Sequence, residues 1–270
     1  MRIQGISGAR GVAVGNVYKY IQEEIVIPDY EVTDDQVEAE IGKFASAMAA
    51  TLKQLDTIRQ KALVDMGADE AAIFEAHMQI AQDPSLSDGI KSLVENSKMN
   101  VVAATAQTIE TFAAIFIGMD DPYMRERGAD IKDIGDRLMC NMLGMNPRGL
   151  SHISGEVIIV AHDLAPSDTA SLDKNVVKGI VTAAGGPTSH AAIMARTLEI
   201  PAVMGVGDIE SFTDDVRAVV LGTDGEVITE PSDEEWERYT KEAADFQDEL
   251  KRLKDSANLE AVTKDGHHVC

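Results

Sequence analysis

The sequence predicts an α/β domain interrupted by an inserted all-α domain of helical hairpins and followed by a C-terminal linker helix. Three observations predict it. Residues 1–21 carry short apolar runs cut by glycine, residues 33–144 carry an apolar period of three to four without a strand-like stretch, and residues 148–231 return to strands alternating with helices. Joining 1–21 to 148–231 leaves 33–144 as an insertion, which is cheap when its two ends lie close together.

In the first segment Ile3, Ile6, Val12, Val14, Val17 and Tyr18 are separated by Gly5, Gly8, Gly11 and Gly15, a pattern of short strands and tight turns. Thr33 and Gln36 have the spacing of a capping box, after which Val37, Ile41, Phe44, Met48, Leu52 and Leu55 recur on one helical face. Further helices are predicted over 70–82, 84–95, 100–117 and 122–143, with Pro84 and Pro122 in first turns and Asn100 as an N-cap. These helices make two or more packed hairpins. Strands are predicted over 156–160, 179–181, 202–204, 218–221 and 227–229, with helices over 167–172 and 190–198. The linker helix spans 233–256. Its seam of Trp236, Tyr239, Ala243, Phe246, Leu250 and Leu253 is too short for a coiled coil, so it packs on the protein's own surface or links to something beyond. Residues 257–270 end in a glycine turn and the first residues of a strand, as the start of a further domain would, so the chain is expected to be part of a longer one.

Composition narrows the function. With 270 residues and 44% apolar side chains a core forms without staples, and Cys140 and Cys270 are too few and too far apart for a disulfide framework, which favours a reducing compartment. Met1 to Gly5 lacks a basic stretch followed by an apolar run, and no apolar stretch approaches the roughly 20 residues that span a bilayer, so a cytoplasmic protein is expected. A net charge of −22 repels nucleic acid and anionic membranes and speeds encounter with a basic protein, although acidity also serves solubility alone.

The stretch richest in chemistry runs from Gly185 to Arg196. Gly185 and Gly186 free the backbone to turn, Thr188 or Ser189 caps a helix, and Ala191, Ala192, Ile193 and Met194 continue it, so His190 falls in the first turn. There the helix dipole disfavours an imidazolium, leaving a lone pair to attack phosphorus, and unpaired backbone N–H groups favour the resulting anion. The dipole contributes about 0.3–1 kcal/mol, enough to tune such a site and not to create it. A glycine loop before a helix also serves as a passive anion site, and a histidine beside a glycine pair is commonly only a turn residue. The run lacks the third glycine of a dinucleotide fingerprint and the Gly-Lys-Ser/Thr of a nucleotide P-loop. His152 and His162 stand singly near strand ends, and His267, His268 and Cys270 lack a fourth metal ligand at matching spacing.

The run GGPTSHAAIMARTLEIPAVMG, 185–205, resembles the phosphohistidine signature of phosphoenolpyruvate-utilising enzymes, a superfamily that includes phosphoenolpyruvate synthase, pyruvate phosphate dikinase and Enzyme I of the sugar phosphotransferase system. Ala72-Ile-Phe-Glu-Ala-His77, Tyr123-Met-Arg-Glu-Arg127, Asp130-Ile-Lys-Asp-Ile-Gly-Asp-Arg137 and Ala165-Pro-Ser-Asp-Thr-Ala170 are similar to the amino-terminal half of Enzyme I, and the similarity covers essentially the whole chain. The resemblance implies a swivelling phosphohistidine domain, with His190 phosphorylated on Nε2 and Thr169 meeting the unphosphorylated ring through its hydroxyl. It implies reversible transfer to the phosphocarrier protein HPr, docked on the helical insertion, as the first protein step of sugar uptake. Glu75, His77, Ile80, Leu86 and Arg127 are candidates for the docking surface, with ordinary helix core as the other reading of Ile80 and Leu86. Residues 33–144 hold 19 acidic and 10 basic side chains, which suits a basic partner face.

Gly185, Gly186, Thr188, Ser189 and Arg196 are candidates for shaping the loop and stabilising the anion, with solvent exposure as the other reading of Arg196. Pro187 stands where members of the family often have arginine, which removes a cation and stiffens the approach to His190. The family's Mg²⁺ and phosphoenolpyruvate belong to a carboxy-terminal, dimerising barrel that has no counterpart here, so no cofactor is expected in this chain. Two other readings stay open: the swivelling domain of a synthase or dikinase, and a non-catalytic module that grips a partner.

Overall fold

Three strands open the chain: β1 (Arg2–Gln4), β2 (Ile6–Ala9) and β3 (Val12–Tyr20). Five more follow the helical region: β4 (Val157–Ala161), β5 (Val177–Thr182), β6 (Ala202–Met204), β7 (Arg217–Leu221) and β8 (Glu226–Thr229). The computed structural model describes residues 1–21, 24–145, 153 and 155–257. The predicted boundary at 148, His152 and residues 258–270, with His267, His268 and Cys270, lie outside them.

The eight strands form one mixed sheet in the order β1-β8-β7-β3-β4-β5-β6-β2. The β3, β4, β5 and β6 ladder is parallel, and every other pairing is antiparallel. Parallel neighbours need crossovers. Short helices α6 (Pro166–Ala170) and α7 (His190–Leu198) supply two of them. The third crossover, from β3 to β4, is the whole helical region. Val157 pairs with Asn16 and Ala161 with Tyr20, so β4 starts four residues back along β3, about 13 Å from where the insertion leaves it.

The two edge strands are consecutive in sequence, separated only by Gly5, so the sheet curls until its edges meet there. Gly5 donates its N–H to the Gly225 carbonyl at 2.8 Å, and a Cβ on it would stand 2.6 Å from the Met204 carbonyl oxygen. Only glycine fits that close approach. Strand β4 is buried throughout, Ile159 and Ala161 facing one core cluster and Ile158 and Val160 the other.

The helical region comprises α1 (Val37–Asp65), α2 (Ala68–Ala81), α3 (Pro84–Ser97), α4 (Val101–Ile117) and α5 (Pro122–Leu143). Asn100 caps α4 by accepting from Ala103 N–H at 2.9 Å, and Asp83 caps α3 before Pro84. The Thr33 capping box forms by half. Gln36 Oε1 accepts from Thr33 N–H at 3.0 Å, but Gln36 itself is the N-cap because residues 34–36 make a separate turn first. On α5, Gly128 and Gly135 bring the helix onto α4: a Cβ would stand 2.6 Å from Ile117 at the first and 2.7 Å from Ile109 at the second.

The last helix, α8 (Asp233–Ala257), lies on the sheet, with Tyr239 buried against Val219, Leu221 and Ile228. Phe246 occupies the space a Cβ on Gly11 would need, whereas Leu253 is exposed. The first half of the apolar seam thus covers the protein's own surface.

Candidate functional site

The loop from β5 to α7 is built for a sharp turn. Thr182 Oγ1 donates to the Ala184 carbonyl at 2.7 Å, and Gly185 takes φ +91°, a conformation that strains other residues. Gly186 has no such constraint, since a Cβ there meets nothing within 4 Å. Of the two candidate caps it is Ser189 that acts, accepting from Ala192 N–H at 3.3 Å, while Thr188 is exposed. His190 is the first helical residue, where backbone N–H groups have no intrahelical partner.

The His190 side chain is half-buried and lines a cavity of about 560 Å³ between α5 and α6. Among the described residues no hydrogen bond engages its imidazole. Lys132, Asp133, Asp136 and Arg137 reach the cavity from α5, and Ser167 and Asp168 from α6. Asp133 accepts from Ser167 Oγ at 2.8 Å, which joins the helical region to the α/β part beside the histidine, and within the α/β part Tyr20 donates to Asp168 at 2.9 Å. Burial in the wall and the charge of Asp133 push the Asp136 carboxyl up to about 6, although its outer side meets solvent. Burial alone would also push Asp130 up. The adjacent His77, with smaller contributions from His190 and Arg127, instead holds it below the usual carboxylate range. Burial and the neighbouring Asp136 raise the Cys140 thiol.

The structure moves several residues from where the sequence placed them. Thr169 is fully buried, and its hydroxyl engages the Pro166 carbonyl and the Met194 sulfur rather than the His190 ring. Arg196 donates to the Gly8 carbonyl at 2.7 Å. It lies six residues past His190, about 9 Å along α7 and on another, exposed face, where it clamps α7 to β2. His77 is completely buried, and Leu86 is 2% exposed in the helical core, so neither is available to a docked partner. Ile80 is half-buried against the same core, Glu75 is exposed, and Arg127 stands 3.5 Å from Asp130. The acidic wall is what the sequence reading did not single out. Its trace in the sequence is the charged set Lys132, Asp133, Asp136 and Arg137 at helical spacing on α5.

Residues 4–127 match the family described as PEP-utilising enzyme, N-terminal, and residues 153–225 match PEP-utilising enzyme, mobile domain. The NMR solution structure of the Enzyme I protein nEIt superposes with a TM-score of 0.77 at 36% identity, over 91% of this chain and 99% of that one. The chain belongs to the Enzyme I family. The phosphoenolpyruvate-protein phosphotransferases of Listeria monocytogenes and Priestia megaterium are 42% and 40% identical to it over 99% of its length. It spans about half of these curated relatives, 46% of each. A structure of the N-terminal domain of Enzyme 1 - Nitrogen, at 24% identity and a TM-score of 0.60, shares the fold. Among the described residues no helix is long and apolar enough to cross a membrane, and no cluster of three or more His, Cys, Asp or Glu could hold a metal ion.

Proposed function

We propose that the chain carries a phosphoryl group on Nε2 of His190 and exchanges it reversibly with HPr docked on the helical region. The Nε2 lone pair attacks phosphorus, the P–N bond to the carrier's imidazole breaks, and that ring leaves with its electron pair. The donor ring, protonated on its other nitrogen, leaves as neutral imidazole, and His190 becomes the protonated phosphoimidazole; no redox partner is needed, so the protein's part is in-line positioning and charge stabilisation. The observation that carries this reading is the half-exposed imidazole of His190 on the first turn of α7, free of hydrogen bonds among the described residues and open to a cavity.

For docking, exposed Glu75 and half-buried Ile80 and Arg127 stay candidates. The corner between α4 and α5 adds exposed Ile115, Ile117, Met119 and Met124, an apolar patch next to Arg127. In the full-length relatives phosphoenolpyruvate and Mg²⁺ would act in the half this chain does not cover, and this chain would receive phosphate only from a carrier.

Mixing the chain with phosphorylated HPr tests the reading. Transfer is expected for the wild type and is abolished in His190→Ala, with HPr binding unchanged. If the variant loses binding as well, or still accepts phosphate, His190 is not the acceptor.

A further inference from the structure

Behind His190 lies a second histidine that the function above does not use. His77 is completely buried and faces a carboxylate on each side: Nε2 is 3.2 Å from Asp130 Oδ1, and Nδ1 is 3.8 Å from Asp133 Oδ2. Neither contact is aligned as a hydrogen bond, and among the described residues neither nitrogen has another partner. A neutral imidazole has one N–H and one lone pair, so it would point that lone pair at an acceptor-only carboxylate. A doubly protonated ring presents an N–H to each neighbour.

The two carboxylates also bear on the site. Asp130 lies within electrostatic reach of His190, and Asp133 shares the cavity wall with it. Left bare, they would repel an incoming phosphoryl group across a poorly solvated gap. The structure assigns His77 as a positioning residue for phosphoryl transfer: its buried imidazolium bridges Asp130 and Asp133 and neutralises the acidic wall against which His190 receives the phosphoryl group. This rests on His190 being the acceptor.

The other groups around the pair do not substitute for it. Arg127 stands 3.5 Å from the far oxygen of Asp130, and α6 offers Asp133 the neutral hydroxyl of Ser167. From α1, Lys61 is turned to the carbonyls of Ser171 and Leu172, and from α2 itself the edge of Phe74 faces the His77 ring. Around His190 the cavity is further lined by Lys132, Asp136 and Arg137 of α5, and by Asp163 and Asp168, and these stay unchanged in the test.

The test is the pH profile of transfer from phosphorylated HPr for the wild type, His77→Gln and Asp130→Asn. Losing the buried cation favours protonated His190, so the acid limb of the His77→Gln profile moves up by about half to one pH unit. Losing a carboxylate moves the Asp130→Asn limb down by a similar amount. Damage to the fold would lower both rates without separating the limbs in opposite directions. Limbs that stay put, or move the same way, overturn the inference. If His77→Gln does not fold, Asp130→Asn decides alone, and an unmoved limb counts against the inference. Failure of the wild type to accept phosphate sinks the proposed function and this inference together, whereas wild-type transfer with coincident profiles sinks only the inference.

Discussion

Asp136 builds a pH dependence into the fold that one substitution removes. Its folded-state value of about 6 lies above the ordinary 3.8, so between them the native state binds more protons than the unfolded chain. Stability therefore falls as pH rises from about 4 to about 6, and the loss persists above that range. Asp136→Asn is expected to raise the urea midpoint at neutral pH and leave it nearly unchanged near pH 4. An equal gain at both pH values would assign the effect to packing instead. Leu86 belongs to the same scale. Its burial in the helical core predicts that Leu86→Ala costs about 2–5 kcal/mol of stability by chemical denaturation, whereas Glu75→Ala changes stability by less than about 0.5 kcal/mol. A neutral Leu86→Ala would return that residue to the surface.

Elements were legible wherever local chemistry alone decides them. Helix α7 begins and ends at the predicted residues because Ser189 caps it and Glu199 closes it in the left-handed conformation. Strand β6 is buried on both faces, and its three apolar residues announce that directly. The site's surroundings were not legible in the same way. Ser167 and Asp133 are 34 residues apart in sequence, and their contact leaves no periodic trace in either helix. Docking belongs to this scale as well. An acidic side chain in the exposed patch at the α4–α5 corner, Ile115→Glu, is expected to weaken HPr binding by about tenfold or more in titration calorimetry, without changing chain stability. Unchanged affinity would move the docking face elsewhere on the helical region.

At the scale of the molecule, the helical region is a long crossover between two adjacent parallel strands, and that topology faces α5 toward the loop after β5. The change of period near residue 33 announced the helical region that lies between β3 and β4, while the predicted return at 148 falls outside the described residues. The curl of the sheet could not be read, because it depends on Gly5 letting two distant edges approach and not on any repeating pattern. The proposed function puts a carrier-docking surface and an acceptor histidine in one chain, and it requires that phosphate come to rest on one imidazole. Mass mapping of the phosphate after exposure to phosphorylated HPr, with a parallel arm given phosphoenolpyruvate and Mg²⁺, tests that claim most directly. A single label on His190 is expected in the first arm and none in the second. Label on His77 or His162, or on His190 from phosphoenolpyruvate alone, would contradict it.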